Sequence, residues 1–153
     1  MPSAAPETAA AAFILMEAGS GRVLASRNET QERSIASTTK IMTCLVALEH
    51  SELTEKVTVK REHLREGSSM YLRAGETYTL RELLEGLLLA SGNDAALAIA
   101  SSLGGETFIE RMNRKADELG LTAAHFANPH GLDDPEHHAS AHDLAVIMAA
   151  ALQ

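Results

Sequence analysis

The chain has 153 residues, which is enough for one domain with its own hydrophobic core and too short to expect two. Its 21 acidic and 13 basic side chains give a net charge of -8, and its lysines are scattered. This argues against a nucleic-acid partner, because phosphate binding needs clustered Lys and Arg. Aromatic residues make up 3% of the chain, too few for the stacking surfaces of single-strand binders, and the single Cys44 excludes an internal disulfide.

The first twelve residues, MPSAAPETAAAA, are predicted to form a flexible segment (1–12) ahead of one folded domain (13–153). They lack the basic residues and the leucine-rich run of a secretory signal peptide. No apolar run elsewhere in the chain approaches the length of a membrane-spanning helix.

The next stretch, FILMEAGSGRVLASRN, predicts a β-hairpin. Phe13–Glu17 forms the first strand, Gly19–Gly21 supplies the turn, and Arg22–Ser26 returns. After the polar connection NETQERS (28–34), an apolar helix that reaches His50 is predicted, with Ser37 and Lys40 at its start. A short alternating strand is predicted over Val57–Lys60.

The rest of the chain is predicted to be mostly helical. Thr79 and Glu82 form a capping box ahead of leucines at helical spacing, and Ser140 and Asp143 form a similar start near the chain end. A long loop (121–140) precedes that last helix. The predicted helices are one from Leu80 to the break at Ser91–Asn93, Asp94–Leu103, Glu106–Leu119, and one from Ser140 to Gln153.

One hairpin has too few strands to be stable alone, so a sheet with further strands is expected. Because the chain stops inside a helix, the sequence is interpreted as cut short.

Ser37 and Lys40 stand one helical turn apart at the start of a very apolar helix. Residues three apart share a helix face, so the serine hydroxyl and the lysine amine can meet. Serine is a weak nucleophile without a base, and a lysine that burial keeps neutral can be that base. The alternative is that Ser37 caps the helix and Lys40 extends into water. The S-x-x-K pattern alone does not decide, because it is common by chance.

A second polar group, Ser91-Gly92-Asn93, lies between two apolar runs, LLEGLLLA and AALAIA. Both runs are expected to be buried, so Ser91 and Asn93 are candidates for the same cleft. The alternative is a helix-to-helix turn in which Asn93 or Asp94 caps the next helix.

Four segments together carry a resemblance: ASTTKIMT, LLLASGNDAALAIA, MNRKADELG and FANPHGLDD. In this order they resemble the serine D-alanyl-D-alanine carboxypeptidases, the low-molecular-mass penicillin-binding proteins, from about Phe13 to Leu152. The resemblance implies an α+β fold of the β-lactamase/transpeptidase type, with an antiparallel sheet, incomplete here, packed against a helical subdomain. The domain over 13–153 would then be a partial catalytic domain.

The resemblance also implies roles for single residues. Ser37 matches the nucleophile that becomes acylated, and Lys40 matches the lysine that accepts its proton. Ser91 matches the serine that relays a proton to the leaving amine, and Asn93 matches the asparagine that binds the substrate backbone and orients the lysine. The family removes the terminal D-alanine of peptidoglycan stem pentapeptides without metal or cofactor, and β-lactams acylate the same serine.

The third motif of the family, Lys-Thr-Gly on a strand facing the nucleophile, is absent from this sequence. In the family that strand binds the substrate carboxylate and supplies one oxyanion-hole donor. The chain is therefore interpreted as an N-terminal portion that is inactive or partly folded on its own. Two alternatives remain: a non-catalytic penicillin-binding-like fragment that binds cell-wall peptide or a partner, and a serine β-lactamase-like protein. An extracytoplasmic location is expected, with membrane association only through segments absent from this chain.

Five histidines cluster near the end of the chain. Their spacings fit no standard zinc pattern and no cysteine assists, so no metal site is predicted and structural or cleft-lining roles are expected. They are His125, His130, His137, His138 and His142.

Overall fold

A computed structural model describes residues 7–153. Half of the predicted flexible segment, residues 1–6, lies outside the described residues. Residues 7–12 form neither helix nor strand, and two side chains of the hairpin hold them. Arg27 Nη2 donates to the Thr8 carbonyl at 2.8 Å, and Asn28 Nδ2 donates to the Ala11 carbonyl at 2.9 Å.

The strands form two separate antiparallel pairs. β1 (Phe13–Met16) pairs with β2 (Val23–Arg27), which confirms the predicted hairpin. β3 (Lys56–Thr58) pairs with β4 (Thr77–Thr79). The strand predicted over Val57–Lys60 thus begins at Lys56 and already ends at Thr58.

The five helices lie close to their predicted positions, and both capping predictions are confirmed. Thr79 Oγ1 accepts from the Glu82 amide, and Ser140 Oγ accepts from the Asp143 amide. The helices are α1 (Thr39–His50), α2 (Leu80–Leu89), α3 (Asn93–Ser102), α4 (Glu106–Glu118) and α5 (Ala141–Ala151).

The hydrophobic core surrounds α1, which contacts all four other helices. α5 also contacts β1 and so joins the hairpin to the helical body. The largest apolar side chains with almost no exposed surface come from all five helices, the segment after β3 and the loop after α4: Met42, Val46, Val59, Leu80, Leu83, Leu87, Ile99, Phe108, Met112, Phe126 and Ile147.

The start of the helix that carries Lys40 contains a tighter turn that the sequence does not predict. A 3-10 turn over Ala36–Thr38 comes first, and α1 begins at Thr39. Ala36 adopts a left-handed φ of 46°. A left-handed residue cannot continue a right-handed helix, so the regular helix starts after it and Ser37 lies on the tighter turn.

Candidate active site

Ser37 and Lys40 meet as their spacing predicts. The Lys40 Nζ lies 3.0 Å from the Ser37 Oγ. Ser37 is exposed and provides no side-chain cap to α1, whose N-cap residue is Thr38. Lys40 is 2% exposed and so does not extend into water. Both structural alternatives for the pair are therefore wrong.

Two carbonyl oxygens complete the surroundings of the Lys40 amine. The Nζ donates to Asn93 Oδ1 at 2.9 Å and to the His130 carbonyl at 2.7 Å. A neutral amine has two N–H donors and one lone pair. With both donors directed at these oxygens, the lone pair is left for the Ser37 hydroxyl, which is the arrangement a general base needs.

Burial lowers the pKa of Lys40 from its ordinary value, because the charged form loses hydration. The described residues include no carboxylate in an ion pair with Lys40 that would counter this effect. The N-terminal end of α1 adds positive potential, which also disfavours the ammonium form.

Asn93 is held in one orientation at the first residue of α3. Its Nδ2 donates to the Glu66 carbonyl at 3.0 Å, which directs Oδ1 towards Lys40. Gly67 packs against this amide with a φ of 95°, and a Cβ there would lie 2.8 Å from the Asn93 Nδ2. Glycine is therefore required beside Asn93.

The next residue, Asp94, fastens the loop before β4 to the start of α3. Its buried carboxylate accepts hydrogen bonds from Ser69 Oγ at 2.6 Å and from the amides of Met70 and Leu72, both at 3.1 Å. Burial by itself would raise the pKa of Asp94. These bonds and one from the Ala95 amide outweigh burial and lower the pKa.

Ser91 lies in the link between α2 and α3, half-buried and with a left-handed φ of 53°. Such a backbone is strained for a residue other than glycine, and strain of this kind concentrates at functional sites. The Ser91 hydroxyl forms no hydrogen bond within residues 7–153, so the structure does not connect it to Ser37 or Lys40. Its proton-relay role stays a prediction.

For His130 the sequence predicts a structural or cleft-lining role, and no contact with Lys40. Its carbonyl binds Lys40, and its ring lines a cavity of about 440 Å³ with Leu64, Arg65, Glu66 and Leu132. Burial and then the charge of Lys40 lower the pKa of His130 to about 4, so the ring is neutral at pH 7. No sequence pattern marks a backbone carbonyl as a lysine partner, which is why this contact was missed.

The other histidines of the cluster are spread over the loop and the first turn of α5 rather than gathered around one point. His125 and His138 face each other through backbone hydrogen bonds, and His137 is buried against α1. Within the part of the chain that the structure describes, no three His, Cys, Asp or Glu side chains are placed to hold a metal ion. None of the helices in this part is long and apolar enough to cross a bilayer.

Comparison with known proteins gives consistent matches along the whole chain. A family model described as peptidase family S11, D-alanyl-D-alanine carboxypeptidase, matches residues 1–153. D-alanyl-D-alanine carboxypeptidase DacF of Bacillus subtilis is 40% identical over 143 residues, covering 88% of this chain and 36% of that protein. DacB2 of Mycobacterium tuberculosis is 40% identical over 151 residues, covering 96% of this chain and 52% of that protein. The chain thus spans about a third to a half of the length of these relatives.

Solved structures show the same fold. The D-alanyl-D-alanine carboxypeptidase of Mycobacterium tuberculosis superposes with a TM-score of 0.91 at 40% identity, over 95% of this chain and 56% of that chain. A mutant of the Streptomyces K15 DD-transpeptidase gives a TM-score of 0.93 at 34% identity, over 97% and 63%. The predicted α+β, transpeptidase-like fold is confirmed. By sequence and by structure, this chain belongs to the peptidase S11 family of D-alanyl-D-alanine carboxypeptidases.

Proposed function

We propose that this chain carries the nucleophile and base of a serine D-alanyl-D-alanine carboxypeptidase that acts on peptidoglycan stem peptides. The observation that carries the proposal is the buried Lys40 amine, fixed by two carbonyl oxygens and 3.0 Å from the exposed Ser37 hydroxyl. β-Lactams, which mimic the terminal dipeptide, are expected to acylate the same serine.

In the first step, the neutral Lys40 amine takes the proton of the Ser37 hydroxyl as Oγ bonds to the carbonyl carbon of the penultimate D-alanine. The electron pair of the carbonyl π bond moves to the oxygen atom, which becomes an oxyanion. Amides in the first turn of a helix lack intrahelical partners, so the Ser37 N–H can donate to this oxyanion. Asn93 is proposed to bind the substrate backbone beside it.

In the second step, the oxyanion re-forms the carbonyl and the C–N bond breaks. The terminal D-alanine leaves as an amine that takes the proton held by Lys40, and Ser91 is proposed to pass it on. The rest of the peptide remains as an ester on the Ser37 Oγ. Water then attacks the ester carbonyl carbon while Lys40 takes a proton from the water. The bond from this carbon to Ser37 Oγ breaks, the shortened peptide leaves as a carboxylic acid, and Oγ takes the proton from Lys40.

This sequence contains no Lys-Thr-Gly, the motif that in the family binds the substrate carboxylate and supplies the second oxyanion donor. Loss of one such donor typically costs about 10²–10³ in rate. We therefore expect the chain alone to acylate and turn over slowly.

The test is covalent labelling. The folded chain is incubated with a reactive penicillin, and mass spectrometry locates the adduct. We expect one adduct on Ser37, with the labelling rate about 10²–10⁴-fold lower in Lys40→Met because the base is gone. Lys56→Met, a change at an exposed lysine, is the matched control and should label like the wild type. Absence of the adduct from the folded wild type, or equal rates in Lys40→Met, contradicts the proposal.

A non-catalytic peptide-binding role is the second candidate, favoured by the missing Lys-Thr-Gly. It predicts that a D-Ala-D-Ala model peptide binds without release of D-alanine, which an assay of free D-alanine decides. A β-lactamase-like protein would instead release hydrolysed penicillin rapidly, so that no lasting adduct accumulates.

We further propose an extracytoplasmic location, because peptidoglycan stem peptides are processed outside the cytoplasmic membrane. Fractionation of cells that express the gene would test this, and recovery of the protein with the cytoplasmic fraction alone would contradict it.

A further inference from the structure

His137 is a buried titratable residue that the proposed reaction does not use. It is 3% exposed and lies 98 residues along the chain from its partner Thr39. The Phe126 ring meets it edge-on at 5.8 Å between ring centroids. A polar ring in such a position is kept there by its hydrogen bonds.

The two bonds of His137 fix its protonation state. The Ala127 amide donates to His137 Nδ1 at 3.1 Å, so Nδ1 carries no proton. The proton is therefore on Nε2, which donates to Thr39 Oγ1 at 2.7 Å. Only the neutral Nε2–H form makes both bonds, because a protonated ring would turn Nδ1–H against the Ala127 N–H.

Thr39 is the first residue of α1, between Ser37 and Lys40, and is completely buried. The loop that begins at Ala127 contacts this part of α1 at further points. The His130 carbonyl accepts from Lys40, and the Pro129 carbonyl accepts from Thr43 Oγ1 at 2.7 Å. His137 thus ties together the two segments that build the Lys40 site.

We propose that His137 is a positioning residue for Ser37 and Lys40. Its neutral ring links Thr39 to Ala127 and keeps the loop 127–131 against the first turn of α1, and its protonation releases the Ala127 amide and loosens that loop. The proposal rests on the proposed function in one respect only, that Ser37 is the group which becomes acylated.

The charges around His137 set the pH at which its ring takes up a proton and releases the Ala127 amide. Burial lowers its pKa from 6.5, and His125 and His138 act in the same direction, while Asp134 and Asp133 oppose them. Lys40, on the α1 side, and His130, in the loop, are the other titratable groups nearby. The neutral form therefore prevails at pH 7, and protonation belongs to the acidic range below 6.5.

The first test compares the pH dependence of Ser37 labelling by penicillin in three variants. His137→Gln keeps one donor and one acceptor but does not titrate. His137→Leu has neither, and His142→Gln is the control, because its imidazole makes no hydrogen bond within the described residues. Urea unfolding confirms that each variant is folded.

We expect His137→Gln to label like the wild type at pH 7.5 and His137→Leu to label at least about tenfold more slowly, since small misplacements of reacting groups cost large factors in rate. Below the His137 pKa, the wild type and His142→Gln take up one further proton. Their rates should then fall about tenfold more per pH unit than that of His137→Gln. Identical pH profiles for wild type and His137→Gln overturn the proposal.

The second test needs neither a variant nor labelling. An NMR titration follows the His137 ring together with the Ser37 and Ala127 amides. We expect these amides to shift with the same midpoint as the ring, and below 6.5. If the ring titrates while they do not move, the positioning role is wrong. If the titration behaves as expected but Ser37 is never labelled, the proposed function fails and the positioning role stands.

Discussion

At the residue scale, burial sets the direction in which the pKa of Lys40 departs from its ordinary value. Among the described residues it is the only lysine with a buried side chain. Its partners Asn93 and His130 offer oxygen atoms without a full negative charge, so they fix the amine in place without restoring its ordinary pKa.

The pH dependence of Ser37 labelling follows from this environment. A proposed base must be neutral to act, and burial lowers the Lys40 pKa. The labelling rate should therefore rise with pH and level off above a midpoint that lies below 10.5. Mass spectrometry over a series of buffers measures the midpoint. The residual rate of Lys40→Met should show no such midpoint, and a wild-type midpoint at or above 10.5 contradicts the prediction.

Gly131 gives a second residue-scale prediction. It has a φ of 89°, and a Cβ there would overlap the Ala36 carbonyl and lie 2.9 Å from Thr39 Oγ1. In Gly131→Ala the loop must move away from Ser37 and Lys40. We expect a loss of about 3 kcal/mol in unfolding free energy and a labelling rate about 10²-fold lower.

The matched control is Gly120→Ala, where φ is 70° and nothing lies within 4 Å of the added Cβ. Gly120→Ala should lower the unfolding free energy by about 1–2 kcal/mol, because a residue with a Cβ is strained in the left-handed conformation, and it should not slow labelling. Equal labelling rates in the two variants would show that the contact of Gly131 with the turn is unimportant.

At the element scale, the start of α3 is built by two neighbouring side chains with different tasks. Asn93 faces Lys40, while Asp94 holds the loop Ser69–Leu72. The orientation of Asn93 thus depends on a helix N-terminus that the Asp94 carboxylate fastens to the rest of the domain.

Asp94→Ala should therefore destabilise the protein by about 3 kcal/mol, because several hydrogen bonds to a buried charge are lost. The pKa of Asp94 is lowered in the folded state, so its contribution is complete above the unfolded value of 3.8 and disappears as the pH falls through the folded value. Urea unfolding at neutral and acidic pH measures both effects.

In Asp94→Asn, stability should no longer carry this acid-dependent part. Asp117→Asn is the control, because the Asp117 side chain is exposed and makes no hydrogen bond or ion pair within residues 7–153. If both Asn variants lose stability with acid exactly as the wild type does, Asp94 is not the responsible group.

At the scale of the whole molecule, burial is uneven. The helices around α1 share a core, whereas the hairpin contacts that core mainly through α5 and leaves Leu15, Val23 and Leu24 about half exposed. Regions with few buried apolar contacts open at lower free energy than the core.

A matched pair of leucines tests this difference. Leu87→Ala removes a fully buried side chain from α2 and should cost about 2–5 kcal/mol. Leu24→Ala removes a side chain that is 47% exposed and should cost less than about 1 kcal/mol. Urea unfolding of both variants gives the two values, and comparable losses would place the hairpin within the same cooperative core.

Much of the fold followed from local patterns. The hairpin turn, the capping boxes at Thr79 and Ser140 and the helix break just ahead of Asn93 all depend on residues close together in sequence. The contact between Ser37 and Lys40 was likewise predictable, because they lie three positions apart, about one helical turn. The 3-10 turn ahead of α1 was not, since Ala36 has a backbone conformation that no side-chain pattern specifies.

The sequence by itself determined most of the secondary structure, the family and the spacing of the proposed nucleophile and base, because these depend on neighbouring residues or on motifs in order. Only the tertiary structure decided how Lys40 is held. Lys40 is bound by atoms 53 and 90 residues away, and Thr39 by one 98 residues away. Long-range contacts through a backbone carbonyl and a histidine tautomer leave no mark in the local sequence, because any residue carries the carbonyl and only the folded surroundings choose the tautomer.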